Sequence, residues 1–122
     1  MKLYSKKEFL KLPEGTLFIF GPDNRIGVLE PAFRSLNVKY GSLTNDFVYK
    51  ALIDIDADST ETLMEIDERV QKETRLHGIS SNVAMDLDCT TRDGLYEEKA
   101  TYIVFDNEEI KAIIASLQTL VK

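Results

Sequence analysis

Histidine and cysteine occur once each in these 122 residues, tryptophan is absent, and only three prolines and six glycines interrupt the chain. The lone Cys89 excludes a disulfide within one chain and a multi-thiolate metal site, a usage that suits a reducing compartment. The lone His77 would need partners the sequence does not supply to build a histidine metal site or a Ser-His-Asp arrangement. No metal, cofactor or catalytic set is therefore expected. Long hydrophobic runs are missing too. Leu17-Phe18-Ile19-Phe20 is far short of the ~20 residues of a membrane span, and the N-terminus has no apolar signal-peptide core, so a soluble, cytoplasmic protein is expected. Positive charge is short, with 15 Lys and Arg against 21 Asp and Glu, a net charge of −6 and a pI of about 4.8. Such a balance argues against duplex or long single-stranded nucleic acid, whose binding needs a basic surface to displace counterions. A small nucleotide is not excluded, because two or three focused cations and some backbone N–H groups neutralise a pyrophosphate.

What is present is enough for one domain over residues 1–122, with 43% hydrophobic residues and a core that buries roughly two thirds of the unfolded surface. Ser5 is placed to cap a short helix over residues 6–12, which Pro13-Glu14-Gly15 ends. Residues 16–20 read as a strand, and Gly21-Pro22-Asp23-Asn24 as a turn leading into a second strand at 25–29. Pro31 breaks that strand; residues 35–40 alternate around Leu36, Val38 and Tyr40, and 41–46 turn into a strand over 47–55. Asp58 with Glu61 forms a capping-box pattern for a helix showing Leu63, Ile66 and Val70 on one face and closing near His77 and Gly78. Val83, Met85, Leu87 and Cys89 alternate with Ala84, Asp86 and Asp88 as a strand with one wet face, residues 100–105 make the last strand, and Asp106 with Glu109 opens a final helix. Its Ile110, Ile113, Ile114, Leu117, Leu120 and Val121 form a broad apolar stripe, which suits packing partly on the sheet and partly on a second copy. The fold class is α+β: a mostly antiparallel sheet with a short N-terminal helix, a middle helix and a C-terminal amphipathic helix.

Asp54, Asp56 and Asp58 with Glu65 copy the ligand spacing of a calcium loop, but Ser59 replaces the turn glycine and a strand precedes it, so the acidic start of a helix is the better reading. Asp86 and Asp88 read as a solvated strand edge in preference to a magnesium or acid–base pair. The richest stretch runs from Asp88 to Tyr96. It crowds hydroxyls, Arg92 and the turn residue Gly94 between two strands, which is equipment for gripping a polar anion without a neighbouring nucleophile or general acid to break it. Arg25 with Gly27, and Thr90, Thr91 and Arg92 with Gly94, are the two turns that fit such a grip; each also reads as an ordinary hairpin tip.

The opening Ser5-Lys6-Lys7-Glu8-Phe9-Leu10-Lys11-Leu12-Pro13-Glu14-Gly15-Thr16-Leu17-Phe18, the stretch Thr91-Arg92-Asp93-Gly94-Leu95-Tyr96, and Tyr102-Ile103-Val104-Phe105-Asp106 before an amphipathic helix resemble small phage proteins. Together they are similar to the phage Thoeris anti-defence family, sponges that capture the cyclic ADP-ribose signal of TIR-domain immune proteins. The resemblance implies sequestration without cleavage, in the cytoplasm of a host cell. It also implies assembly as a dimer or a trimer of dimers, with nucleotide sites between chains. A second site for cyclic di- or trinucleotides is implied at the turns with Arg25, Gly27, Thr90, Thr91 and Arg92. For the cyclic ADP-ribose site it points to a base-stacking aromatic and a pyrophosphate arginine, with Phe47, Tyr49, Arg75, Asn82 and Arg92 as candidates. The rival expectation from charge is an acidic inhibitor that mimics nucleic acid and occupies the basic groove of a host defence nuclease; an enzyme is the least favoured reading.

Overall fold

The computed structural model describes residues 1–21, 36–87, 89–92 and 99–122, with the backbone alone described at 89–92. The fold is α+β, as the sequence predicts. Six strands, β1 (Lys2–Ser5), β2 (Leu17–Phe20), β3 (Asn37–Leu43), β4 (Asp46–Ala51), β7 (Cys89–Arg92) and β8 (Thr101–Val104), form one sheet in the order β1-β8-β2-β3-β4-β7. Every neighbouring pair is antiparallel. A separate two-stranded ribbon joins β5 (Asp54–Ile55) to β6 (Met85–Asp86).

Helix α1 (Lys6–Leu10) starts where the sequence places it, with the Ser5 hydroxyl accepting from the Glu8 amide. It lays Phe9 on one sheet face, and this contact organises the core. The Phe9 ring stacks on Tyr102 with centroids 4.1 Å apart and meets Phe18 and Phe47 edge-on at 4.8 and 5.1 Å. Strand period places Phe20 and Tyr49 on that face, where they pack against the cluster. Leu17 and Ile19, on the opposite face of β2, are buried as well, so the continuous apolar run is that of a strand covered on both sides. Gly21 follows it, donating to the Thr101 carbonyl at 2.8 Å. A Cβ at Gly21 would come within 2.9 Å of the Thr101 carbonyl group, so this approach requires glycine.

In β3 the structure reverses the expected parity. The buried side chains are Asn37 and Lys39, whereas Tyr40 is exposed, because the α1-covered face receives the odd-numbered positions. Lys39 is only 1% exposed. Its ammonium donates to the carbonyls of Phe9, Leu10 and Leu12 at 2.9, 3.0 and 2.6 Å and lies 5.1 Å from the centre of the Phe9 ring. A helix ends with carbonyls that lack intrahelical donors, and here a lysine from the neighbouring strand supplies them. Ser42 adds its hydroxyl to the Leu10 carbonyl at 2.6 Å. Gly41 and Ser42, expected in a turn, belong to β3 after a bulge between Lys39 and Gly41; the reversal falls on Thr44 and Asn45, with Asn45 left-handed at φ 58°.

The middle of the chain departs further from expectation. Helix α2 (Thr60–Val70) is capped by Ser59, whose hydroxyl accepts from the Thr62 amide, and Asp58 accepts from the Thr62 hydroxyl. The cap thus lies one residue later than the predicted capping box. The helix continues as a π-helical segment, Gln71–Leu76, before Gly78 turns left-handed at φ 67°. Leu63 is exposed and nothing in α2 is fully buried, so the predicted apolar face is not part of the core. The expected strand through Val83 to Cys89 is two pieces with different partners: β6 pairs with β5 and β7 with β4. Met85 and Leu87 point to solvent as a consequence. Helix α3 (Asn107–Gln118) has the full predicted capping box: the Asp106 carboxylate accepts from the Glu109 amide and Glu109 from the Asp106 amide. The Met1 ammonium pairs with Glu109, tying the chain start to this helix. Ile110 and Ile113 are half-buried, while Ile114, Leu117, Leu120 and Val121 are exposed. Among the described residues no helix is long and apolar enough to cross a membrane. The predicted hairpin at 21–29 and the turn at 92–94 fall almost wholly outside the described residues.

Candidate functional site

The sheet edge made by β4 and β7 is where the sequence candidates converge. The register sets Val48 opposite Arg92, Tyr49 opposite Thr91, Lys50 opposite Thr90 and Ala51 opposite Cys89. Alternation then sets Tyr49 and Thr91 at positions of the core-facing side of this edge, and Lys50, Thr90 and Arg92 at positions of the opposite side, although residues 49 and 92 are far apart in sequence. Lys50 is the member that sequence reading missed. Its signal was weak, because a single lysine in a strand gains meaning only through the register that sets it beside Thr90.

Tyr49 is half-buried; its ring meets Phe20 at 5.4 Å and Phe18 at 6.1 Å, both edge-on, so the core fixes its orientation. Phe47 is different. It is fully buried within 5.1–5.8 Å of Phe9, Phe18 and Tyr102, and the expectation that it stacks on a base gives way to a core role. Period two puts both aromatics on one face, and α1 covers the end that holds Phe47.

Arg75 and Asn82 stand on another set of elements. Arg75, in the π-helical segment, is exposed and donates to the Gln71 side chain at 3.1 Å. Asn82 offers its backbone carbonyl to Arg69 at 2.7 Å. Around them the Thr74 hydroxyl donates to the Ile79 carbonyl at 2.8 Å, and the Ser81 hydroxyl lies within hydrogen-bond distance of both Thr74 and Glu73, contacts that fasten the segment after Gly78 back onto the helix. The β4–β7 edge is built without Arg75 and Asn82. Arg25 and Gly27 lie outside the described residues, as do Asp88, Gly94 and Tyr96.

Asp54 and Asp86 face each other across the β5–β6 ribbon, and among the described residues no group of three His, Cys, Asp or Glu side chains could hold a metal ion. The Asp54 carboxylate accepts from the Ile55 amide at 2.7 Å, a contact within β5. Burial pushes the Lys39 ammonium below the ordinary lysine value. No protein family matches this chain, and no curated protein or solved structure is significantly similar to it.

Proposed function

We propose that this protein binds a cyclic nucleotide signal, a cyclic ADP-ribose isomer or a cyclic di- or trinucleotide, and lowers its free concentration without cleaving it, as a phage-type inhibitor of host immunity. The reading rests on the resemblance of the opening, Thr91–Tyr96 and 102–106 motifs, and the observation that supports it best is the β4–β7 register. That register gathers Tyr49, Lys50, Thr90, Thr91 and Arg92 at one sheet edge. Lys50, Thr90 and Arg92 occupy positions of one face of that edge, cationic and hydroxyl-bearing residue types that suit phosphate, while Tyr49 with Thr91 belongs to the other face. The proposal includes a homo-oligomer that shares sites between chains. The exposed Ile114, Leu117, Leu120 and Val121 of α3 and the residues after it offer the surface for a second copy, and Glu108, Glu109, Lys111 and Lys122 leave that region nearly neutral.

The test is to incubate the purified protein with cyclic ADP-ribose isomers and cyclic oligonucleotides, remove unbound ligand, heat-denature and identify what is released. Ligand should return with unchanged mass and retention, at a stoichiometry fixed by the protein. Protein-dependent accumulation of a linear or hydrolysed product would replace sequestration with catalysis. Arg92→Ala should weaken at least one of these ligands by about 2–3 kcal/mol, the scale of a charge-assisted contact. Calorimetry showing unchanged affinity for every ligand that binds the wild type would remove the β7 end from the site.

A further inference from the structure

Residues 52–87, between β4 and β7, hold α2, the π-helical segment and the β5–β6 ribbon, and none of them is fully buried. Two properties of this arm coincide. It contains nine acidic and three basic residues, against twelve and twelve in the rest of the chain, so the entire net charge of −6 resides here. It also carries Ile53, Met64, Leu76, Ile79, Met85 and Leu87, each 54–77% exposed. More than half of each of these apolar side chains is left in water, which is what an interaction surface offers a partner.

The acids are arranged at a cost. Glu61, Glu65 and Glu68 share one face of α2 at helical spacing and form no ion pair among the described residues. Like-charge pairs so spaced each weaken a helix by about 0.2–0.5 kcal/mol. Two arms from two copies would face each other with like charge, which disfavours self-association through this surface, in contrast to the nearly neutral α3. A partner bearing positive charge would relieve the repulsion and cover the apolar side chains together.

We infer that the arm is a docking surface for a basic protein segment that carries apolar side chains among its cations. Acidic carboxylates steer and orient that segment, and Met64, Leu76, Ile79 and their neighbours anchor it. A pure mimic of nucleic acid would need the charges alone; the exposed aliphatic side chains specify a partner of mixed character. The inference is independent of nucleotide binding at the β4–β7 edge.

The probes are a synthetic lysine–leucine amphipathic peptide and a polylysine of equal charge, titrated against the full chain. The amphipathic peptide should bind about tenfold more tightly than polylysine at low salt, and its affinity should fall steeply as salt screens the carboxylates. A Glu61→Gln, Glu65→Gln, Glu68→Gln triple variant, and separately Met64→Ser with Leu76→Ser, should each weaken it about tenfold. A control with Glu14→Gln and Leu43→Ser, exposed positions outside the arm, should bind as wild type does. Equal weakening in the control, equal affinity for the two probes, or no loss in the arm variants would overturn the inference. So would light scattering in which wild-type oligomers revert to monomers on the Met64 and Leu76 substitutions, since the arm would then be covered by a second copy. Circular dichroism establishes that each variant is folded, and all substituted side chains are exposed.

Discussion

Lys39→Met is expected to destabilise the protein by about 3 kcal/mol, read as a lower urea midpoint with an unchanged slope. Methionine fills the volume but donates nothing. The Leu12 carbonyl, 2.6 Å from the ammonium, loses a charged donor, while Leu10 retains the Ser42 hydroxyl and Phe9 retains the Leu12 amide. The loss is smaller than three separate bonds because removing the ammonium also removes its desolvation cost. That cost sets the pH dependence. Burial holds the folded-state value below the 10.5 of the unfolded chain, so between the two the unfolded state binds more protons and stability rises with pH. The wild type should therefore gain on Lys39→Met as pH climbs toward 10.5. A difference that shrinks with pH would mean the three carbonyls outweigh burial. A loss under 1 kcal/mol at neutral pH would show that Lys39 does not hold the end of α1.

Phe9→Ala should have the larger effect, about 4 kcal/mol, within the range for removing a buried phenyl ring. The ring touches Tyr102, Phe18 and Phe47 together, and it is the means by which a five-residue helix is fixed to the sheet. A helix that short has no stability of its own. Its loss would also release the carbonyls that Lys39 serves, so the two substitutions should be non-additive, with the double variant less destabilised than the sum. Chemical denaturation of the single and double variants measures this directly. Additive losses would indicate that α1 stays docked without Phe9, through contacts other than this cluster.

Much of the site was legible as composition and little as geometry. Thr90, Thr91 and Arg92 stood out as a polar cluster, and Tyr49 as an aromatic, but only the β4–β7 register makes them neighbours and adds Lys50. Phe47 was misassigned for a physical reason: alternation shows that Phe47 and Tyr49 share a face, not which end of that face α1 covers. Arg75 and Asn82 looked equally available in sequence, and only the fold shows that they stand on elements other than β4 and β7.

The sequence by itself determined the elements whose signals are local. Ser5 as a cap, the apolar run at 17–20, the Asp106–Glu109 capping box and the positive-φ Gly78 all depend on residues within a turn of one another, and each appears as expected. Tertiary structure decided whatever depends on a partner far along the chain. A buried lysine in β3 makes sense only beside the open end of α1, some thirty residues earlier in the chain. The stretch from Val83 to Cys89 reads as one alternating strand, yet it divides because β5 and β4 each offer it a different edge. The faces of α2 and α3 are apolar by spacing, but spacing cannot say whether the surface that covers them belongs to the same chain.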